Sequence, residues 1–475
     1  MAENKYITPQ DRFRLERGDQ RLLLPLGDLF AALMALGISL LFWAKGDTWL
    51  RLSFEFLRVR IPGWFYFLPV FWLLLMVDAY DIRKAGNLKE TLKSLSLSFI
   101  IAASIYLVIY FASEPDSLPR LGVAIFLVLA AIFTLIWRMV YVQLFTTTSK
   151  QKRVLIIGAG RAGKALANVV NEQDPPPFNI IGFIDDNPEK LGTTVEGYPI
   201  LGNHLVLPEI IRDQAITDII LAISNEMSHG MFQTVLSLQE SGLRMATMQE
   251  TYENLTGRVP ISLLEADWVI RSFIDHAPTS GLYRIAKRLV DLFMSMVGMV
   301  ALVIIYPFIG LLIRLDSKGP IIFQQVRLGR NGKPYNILKF RTMKDSKDME
   351  KEALVTAAND PRVTRVGRFL RKTHLDEVPQ ILNVLRGEMS FVGPRSERSE
   401  LVDVFQVDVP FYRARMLVKP GITGWAQIHQ NYAETVEETA VKLEYDLYYI
   451  QHATLFMDIN IMLRTVVSVF GFKGR

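Results

Sequence analysis

The sequence predicts three parts: a membrane α-helical bundle at the N-terminus, an α/β domain in the middle, and a mixed, largely α domain at the C-terminus. Three observations carry this. The chain has 475 residues, which suggests about three domains. Half of them are hydrophobic and the mean hydropathy is positive, with long uncharged runs gathered in the first third. Beyond Lys152 the texture changes to short β-branched runs alternating with helical patterns, and beyond Leu315 to a charged, motif-rich stretch.

The apolar runs are 22–44, 63–77, 95–112 and 121–137, and the first carries a single acid, Asp28. A span needs roughly 20 apolar residues, about 17 at the shortest. The second run reaches that only with its flanks, so residues 1–148 are expected to hold four spans. The first run starts late, is long, and has no small-residue cleavage site behind it, unlike a signal peptide. Arg12, Arg14, Arg17 and Arg21 precede it, and Arg138, Lys150, Lys152 and Arg153 follow the fourth. Both ends are therefore expected on the cytoplasmic side. Arg120 alone lies between the third and fourth runs, whereas Lys45, Arg51, Arg58 and Arg60 between the first and second pull the other way. With no cysteine, neither disulfides nor thiolate chemistry is available. A net charge of +5 suits a membrane surface or phosphorylated substrates without choosing between them.

The middle domain, 149–277, opens with RVLIIGAGRAGKALANVV. A β-branched run at 154–157 leads into Gly158, Gly160 and Gly163 and then a helical pattern, the setting of a phosphate-binding turn. A second strand, NIIGFIDD, ends in Asp185 and Asp186, about where an acid meets a ribose hydroxyl. Further strands at 218–222 and 245–247 continue a Rossmann-like alternation. A nucleotide is the candidate ligand, held by Gly158, Gly160, Gly163 and Asp185; the alternative is a module that binds nothing or a regulator. Redox chemistry would call for a Tyr-x-x-x-Lys pair. The two such spacings, Tyr283…Lys287 and Tyr335…Lys339, both fall outside this module. Lys287 abuts an apolar run and is expected to reach for lipid headgroups.

That run, 289–313, has Asp291 near its start and Pro307 within it. Its length says that it spans. Its flanks, Arg284, Lys287 and Arg288 before and Arg314 and Lys318 after, are what a segment returning to its starting side would show. Pro307 removes one helical hydrogen bond and can bend the helix. On these residues both readings stand.

The C-terminal domain reads LDSKGPIIFQQVRLGRNGKPYNILKFRTM, then NDPRVTRVGRFLRKTHLDEVPQILNVLRGEMSFVGPRSE, then VKPGITGWAQI and YDLYYI. This ordered set resembles the catalytic domain of bacterial polyprenyl-phosphate hexose-1-phosphate transferases, the monotopic phosphoglycosyl transferases, over about residues 280–475. With the spans and the Rossmann-like module, the chain resembles the longer members, the undecaprenyl-phosphate glucose or galactose phosphotransferases. The resemblance implies a reaction: UDP-hexose and undecaprenyl phosphate give undecaprenyl-diphospho-sugar and UMP. It implies a catalytic domain at 278–475 whose segment 289–313 is a re-entrant membrane helix. It also implies a bacterial inner-membrane location with the active site on the cytoplasmic face, and a part in exopolysaccharide, capsule or O-antigen synthesis.

Within RKTHLDEVPQ the adjacent acids Asp376 and Glu377 gain a reason beyond a helix start, where Asp and Glu meet unpaired N–H groups anyway. Moving a phospho-sugar between two anions is easier in two steps through an enzyme nucleophile. By the family pattern Asp376 is that nucleophile and Glu377 a ligand of Mg²⁺, which takes carboxylates together with substrate phosphate oxygens. Thr373 is expected to cap the helix that carries the pair. Lys339 and Arg341 of KFRTM, Arg371, and Arg395 of VGPR are the candidate phosphate contacts. The family usually has Pro-Arg-Pro at the last of these; here Ser396 follows Arg395. Arg362, Arg365, Arg368 and Arg371 recur every three residues, and the first three are expected to face water or anionic lipid. Residues 455–472, with Asp458, Arg464, Thr465 and Ser468 as their polar members, suggest an interfacial helix.

The expected partners are UDP-hexose, undecaprenyl phosphate and membrane lipid, with a homodimer left open and nucleic acid excluded. Two rival readings are a membrane nucleotide-sugar dehydratase driven by the middle domain and a channel or transporter with a nucleotide-sensing module. The second leaves 316–450 unexplained.

Overall fold

The computed structural model describes residues 17–46, 53–80, 88–112, 120–145, 152–223, 227–263, 281–344, 360, 362–430 and 435–470. The chain divides into two compact units, Met1–Met248 and Gln249–Arg475.

In the first unit three helices are long and apolar enough to cross a membrane, over Leu23–Lys45, Leu88–Phe111 and Arg120–Leu144. The run at 63–77, expected as a span, is not one of them. It forms a 3-10 turn, Gly63–Phe67, followed by the helix Leu68–Leu75. Eight residues rise about 12 Å, far short of a hydrocarbon core about 30 Å thick. The short helix is tied to its neighbours instead: buried Trp72 donates its indole N–H to the Thr134 hydroxyl at 3.1 Å, and the Ser98 hydroxyl donates to the Leu75 carbonyl at 2.9 Å.

Arg138 also departs from expectation. Rather than flanking the fourth run as a topology signal, it lies inside the helix Arg120–Phe145, fully buried. It pairs with Asp28 of the helix Arg17–Gly46 and donates to the Ala79 carbonyl at 2.7 Å. A charge among apolar helices persists when it meets its opposite, so the lone acid of the first run finds Arg138, just past the end of the last. Arg12, Arg14, Arg51 and Lys150 lie outside the described residues.

The α/β part of this unit is a six-stranded sheet in the order β3-β4-β2-β1-β5-β6. Its strands are β1 Arg153–Ile157, β2 Asn179–Ile184, β3 Thr194–Val195, β4 Tyr198–Gly202, β5 Asp218–Leu221 and β6 Arg244–Thr247. All neighbours are parallel except the β3–β4 pair. The β-branched stretch of β1 is buried on both sides, as a central parallel strand requires. Two glycines of the motif are dictated by space. Gly158 has φ +107°, and a Cβ at Gly163 would lie 2.2 Å from the Gly158 carbonyl oxygen.

The second unit takes in residues 249–263, which the sequence placed with the middle domain. The Val259 N–H donates to the Glu444 carbonyl at 3.1 Å, and the Trp425 indole donates to the Gly257 carbonyl at 2.9 Å. The unit is built on the helix Gly281–Asp316, which contains Pro307, and on the antiparallel hairpin of β7 Ile322–Leu328 and β8 Pro334–Phe340. A parallel pair, β9 Ser390–Val392 and β10 Gly421–Thr423, and the helices Val436–His452 and Leu455–Phe470 complete it. Thr435 and Glu438 form a reciprocal capping box at the head of Val436–His452, satisfying two N–H groups at once.

The long helix lies along its own unit. Asp291, Ser295, Leu302, Ile309 and Ile313 are buried, whereas Leu289, Phe293, Met296, Val300, Val303, Phe308 and Leu311 form an exposed apolar stripe. Contacts run its whole length. Arg288 donates to the Val384 and Leu385 carbonyls at 2.7 and 2.8 Å, satisfying the last turn of the helix Ile381–Arg386. Asp291 accepts from the Ser390 hydroxyl and the Phe391 N–H, both at 3.0 Å. At the other end the Asp316 carboxylate accepts from the Val366 N–H at 2.8 Å. Lys287 pairs with Asp458 at 2.8 Å, and Tyr283 reaches the same oxygen at 3.0 Å. A buried carboxylate attracts the amine more strongly than headgroups can, so Lys287 turns inward. The polar side of Leu455–Phe470 turns inward too, with Asp458 buried and Thr465 bonded to Thr423, while Phe456 and Ile459 face out.

Within this unit Glu444 is buried beside Arg258, 3.8 Å away. Burial outweighs that cation and pushes the carboxyl up to about 7 from 4.5. A carboxyl raised on folding favours the native state when protonated, so its contribution is full below about pH 4.5 and lost as pH rises through about 7. Glu444→Gln should therefore stabilise the solubilised protein by about 1–3 kcal/mol at pH 8 and hardly at all at pH 5. Unfolding curves at the two pH values check this, and an equal gain at both would sink it.

Candidate active site

The acid pair sits where two helical pieces meet. The helix Arg365–Lys372 starts at Thr364, whose hydroxyl accepts from the Gly367 N–H at 2.9 Å. A Cβ at Gly367 would lie 2.1 Å from the Thr342 carbonyl oxygen, so glycine lets this helix press against the segment after β8. Thr373 closes the helix rather than opening the next. Its hydroxyl donates to the Phe369 and Leu370 carbonyls at 2.9 and 3.2 Å. His374 then turns left-handed at φ +56°, and Asp376 and Glu377 fall in a 3-10 turn, Leu375–Gln380. Pro379 has no N–H to give, and regular helix resumes only at Ile381. The capping role expected of Thr373, and with it a helix dipole aimed at Asp376, is therefore absent.

Two cations from different elements converge on Glu377. Lys339, near the end of β8, and Arg395, in the loop after β9, both reach its Oε1, at 2.8 and 3.0 Å. Burial pushes this carboxyl up, but the two cations win and hold it well below the usual carboxylate range. Asp376 is its opposite. Burial first, and then the neighbouring Glu377 charge, raise it, with Lys339, Arg371 and Arg395 pulling against them. Adjacent acids in one turn are thus pushed in opposite directions, Glu377 toward its ionised form and Asp376 toward holding a proton more tightly.

The structure brings Asp376, Glu377, Lys339 and Arg395 together. Arg371 is half-buried and acts on Asp376 from the preceding helix, its Nε donating to the Thr342 hydroxyl at 3.0 Å; Arg365 and Arg368 are exposed. Arg341 is placed differently. It is buried, its Nη2 donates to the Ser317 carbonyl and hydroxyl at 2.7 and 3.0 Å, and it ties the end of the long helix to β8. Sequence reasoning missed a charge cluster behind Arg395, in which buried Arg415 and Asp446 join the partly buried Glu397, Lys442 and Arg327. Asp446 falls in YDLYYI, where a charge amid aromatic and aliphatic residues was the available sign.

No group of three or more potential metal-binding side chains occurs among the described residues. Mg²⁺ is commonly held through one or two carboxylates when substrate phosphates complete its shell. Glu377 is the carboxylate that could hold such an ion, with Asp376 next to it in the turn, and both cations on Glu377 use the same oxygen.

In the α/β sheet, Gly160 heads the helix Arg161–Asn171 with open space beside it. Asp185, the candidate ribose ligand, is turned onto the glycine loop. It accepts from the Ala159 N–H at 2.8 Å, the Asn187 N–H at 2.9 Å and Lys190 at 2.8 Å. Asp186 accepts from the His204 N–H and ring and from the Ser228 hydroxyl. Contact with a ribose would require Asp185 to give up bonds that now close its own turn.

The site is thus an acid pair under cationic control, on a unit that carries a long helix with an exposed apolar stripe. The family model described as bacterial sugar transferase matches residues 282–472, and one described as CoA-binding domain matches 76–246. The UDP-N-acetylgalactosamine-undecaprenyl-phosphate N-acetylgalactosaminephosphotransferase of Aeromonas hydrophila is 36% identical over 229 residues, 48% of this chain and 53% of that protein. The UDP-glucose:undecaprenyl-phosphate glucose-1-phosphate transferase of Escherichia coli (strain K12) is 43% identical over 201 residues, 42% and 43% of the two chains. The chain thus spans about half the length of these relatives. The exopolysaccharide production protein PSS of Rhizobium leguminosarum bv. phaseoli is 38% identical and is covered over 94% of its length, by 39% of this chain. The chain belongs to the bacterial sugar transferase family.

Lys339→Met takes away one of the two partners of Glu377 and should cost about 1–3 kcal/mol of stability, since a buried charge is left under-compensated. Adding Glu377→Gln removes that charge, so the double variant should regain part of the loss. Denaturant unfolding of the solubilised protein measures both, and a double variant no more stable than Lys339→Met would contradict the assignment.

Proposed function

We propose that the chain transfers a hexose-1-phosphate from a UDP-hexose to undecaprenyl phosphate, releasing UMP, through a covalent intermediate on Asp376. The observation that carries this reading is the split state of the acid pair. A nucleophile for phosphorus must be close to cations yet not locked to them, and Asp376 feels Lys339, Arg371 and Arg395 while Glu377 takes the two ion pairs.

In the first step a carboxylate oxygen of Asp376 attacks the phosphorus bearing the sugar. The bond from that phosphorus to the bridging oxygen breaks, UMP departs with the electron pair, and an acyl phosphate remains. In the second step an oxygen of undecaprenyl phosphate attacks the same phosphorus, and the Asp376 carboxylate leaves to regenerate the site. Lys339, Arg371 and Arg395 orient the phosphates and offset their charge. Mg²⁺ bound through Glu377, with Asp376 beside it, would supply further neutralisation of phosphate oxygens.

The acceptor lipid calls for a site at the membrane face, and we read Gly281–Asp316 as re-entrant, with the catalytic unit on the cytoplasmic side of the bacterial inner membrane. Its bonds to one and the same unit near both ends, and the apolar stripe opposite them, support that reading. The basic flanks agree with it.

Two measurements test the proposal. Without acceptor, the enzyme should release at most about one equivalent of UMP and retain a hydroxylamine-labile phospho-sugar on the peptide containing THLDEVPQ. Asp376→Asn should abolish adduct and turnover, and Glu377→Gln should slow both half-reactions. A folded Asp376→Asn enzyme with near-normal turnover would remove Asp376 as nucleophile. For topology, the cysteine-free chain allows single cysteines at Ser280 and Lys318. In sealed inner-membrane vesicles an impermeant maleimide should reach both from the cytoplasmic side only; labelling from opposite sides would make the helix a span.

A further inference from the structure

Behind Arg395 the chain makes an arrangement that the reaction scheme does not use. Four consecutive carbonyls, those of residues 394 to 397, each accept a hydrogen bond from a different residue. The Pro394 carbonyl accepts from the Gly421 N–H of β10 at 2.9 Å and the Glu397 carbonyl from the Leu328 N–H of β7 at 3.1 Å. The Arg395 carbonyl accepts from Arg415 Nη2 at 3.1 Å and the Ser396 carbonyl from Arg327 Nη1 at 3.3 Å. A loop that carries a functional arginine is thus held at every peptide, although it belongs to no helix or strand.

Of the two arginines, Arg415 is held more tightly. It is buried in the 3-10 turn Tyr412–Leu417. Nη2 is shared between the Arg395 carbonyl and the Asp446 carboxylate at 2.7 Å, while Nη1 donates to the Tyr412 hydroxyl at 2.7 Å and reaches Glu397 at 3.4 Å. Lys442 reaches the same Glu397 oxygen, Oε1, at 2.9 Å. A buried charge cluster of this kind is an inefficient way to gain stability, since apolar residues of similar volume often do as well or better. What it does supply is direction, because the planar fork fixes each of its acceptors in angle as well as distance.

We propose that Arg415, anchored by Asp446, is a positioning residue that sets the backbone of Arg395 so that its side chain meets Glu377 and the substrate phosphate. The proposal rests on the reading of Arg395 as a phosphate contact given above. Arg415 acts through the Arg395 carbonyl and touches no reacting atom. Lysine at 415 keeps the charge opposite Asp446 and Glu397 but cannot fork to the Arg395 carbonyl and Tyr412 as well.

The test is a double-variant cycle on the full chain in membranes, reading UMP release from the UDP-hexose that the wild type turns over, with undecaprenyl phosphate as acceptor. Arg415→Lys should lower kcat/KM about ten- to a hundred-fold, the scale of a misplacement of about 1 Å, with thermal unfolding close to wild type. Combined with Arg395→Met it should cause no further loss, because the group it positions is gone. Losses that multiply in the double variant would show a general structural role and overturn the proposal, as would an unimpaired Arg415→Lys enzyme. Should Arg415→Lys fail to fold, Asp446→Asn, which loosens the same anchor, takes its place with the same expectation. Arg395→Met alone separates the two readings: full activity there refutes the phosphate contact itself, whereas a loss there with an additive Arg415→Lys refutes only the positioning.

Discussion

A single carboxylate oxygen of Glu377 holds a lysine from the β7–β8 hairpin and an arginine from the loop after β9. Those elements are distant in sequence; Phe340 of the hairpin also packs in one apolar cluster with Leu375 and Val378 of the turn Leu375–Gln380, whereas the loop after β9 reaches the turn through Arg395. The triad fixes two things together, the ionised state of Glu377 and the nearness of two positive charges to Asp376, and it joins the packing of Phe340 in placing the hairpin against the acidic turn. Because both cations share one oxygen, neither can be replaced without loading the other. The raised affinity of Asp376 for a proton follows from the same geometry, since its burial is offset by no direct ion pair among the described residues and the Glu377 charge stands beside it.

Beneath the triad the architecture favours definition over economy. The long helix Gly281–Asp316 meets its unit through Lys287, Arg288 and Asp291 as well as through apolar packing. The loop at 394 to 397 is bonded carbonyl by carbonyl, and Arg415 is held by two carboxylates and a tyrosine hydroxyl. Buried polar networks of this sort are costly when partly satisfied and specific when complete. Ser396 stands where the family resemblance leads one to expect proline. The stiffness a proline ring would confer on the backbone is matched here by hydrogen bonds from outside the loop.

Much of this was legible in the residues. The β-branched run before Gly158 announced a buried parallel strand, and the order of motifs after Leu315 announced the bacterial sugar transferase match over 282–472. What stayed hidden depended on partners far away in the chain. Arg138 reads as a topology signal until Asp28, 110 positions earlier, is placed beside it. Lys287 reads as a headgroup anchor until Asp458, 171 positions later, folds against it. Thr373 fits a capping pattern in sequence, yet Pro379 shifts regular helix onward and leaves the acids in a tighter turn. Arg415 carries no local mark at all. Hydropathy reports which residues avoid water, and it is silent on which polar groups will be buried together.

The one-sided packing of Gly281–Asp316 has a consequence for the lipid that surrounds it. A segment whose ends are anchored on opposite faces must match its apolar length to the bilayer, and tilts or strains when the two differ. A helix read as re-entrant, fastened to one protein surface along its length, has no such length to match. Its outward stripe can sink more or less deeply while the bonds of Arg288, Asp291 and Asp316 keep their geometry. Thinner or thicker membranes would then change how far the catalytic unit is immersed and leave the spacing of its acid pair and cations intact. Such an enzyme would tolerate changes in acyl-chain length that a helix threaded through the membrane would register as mismatch.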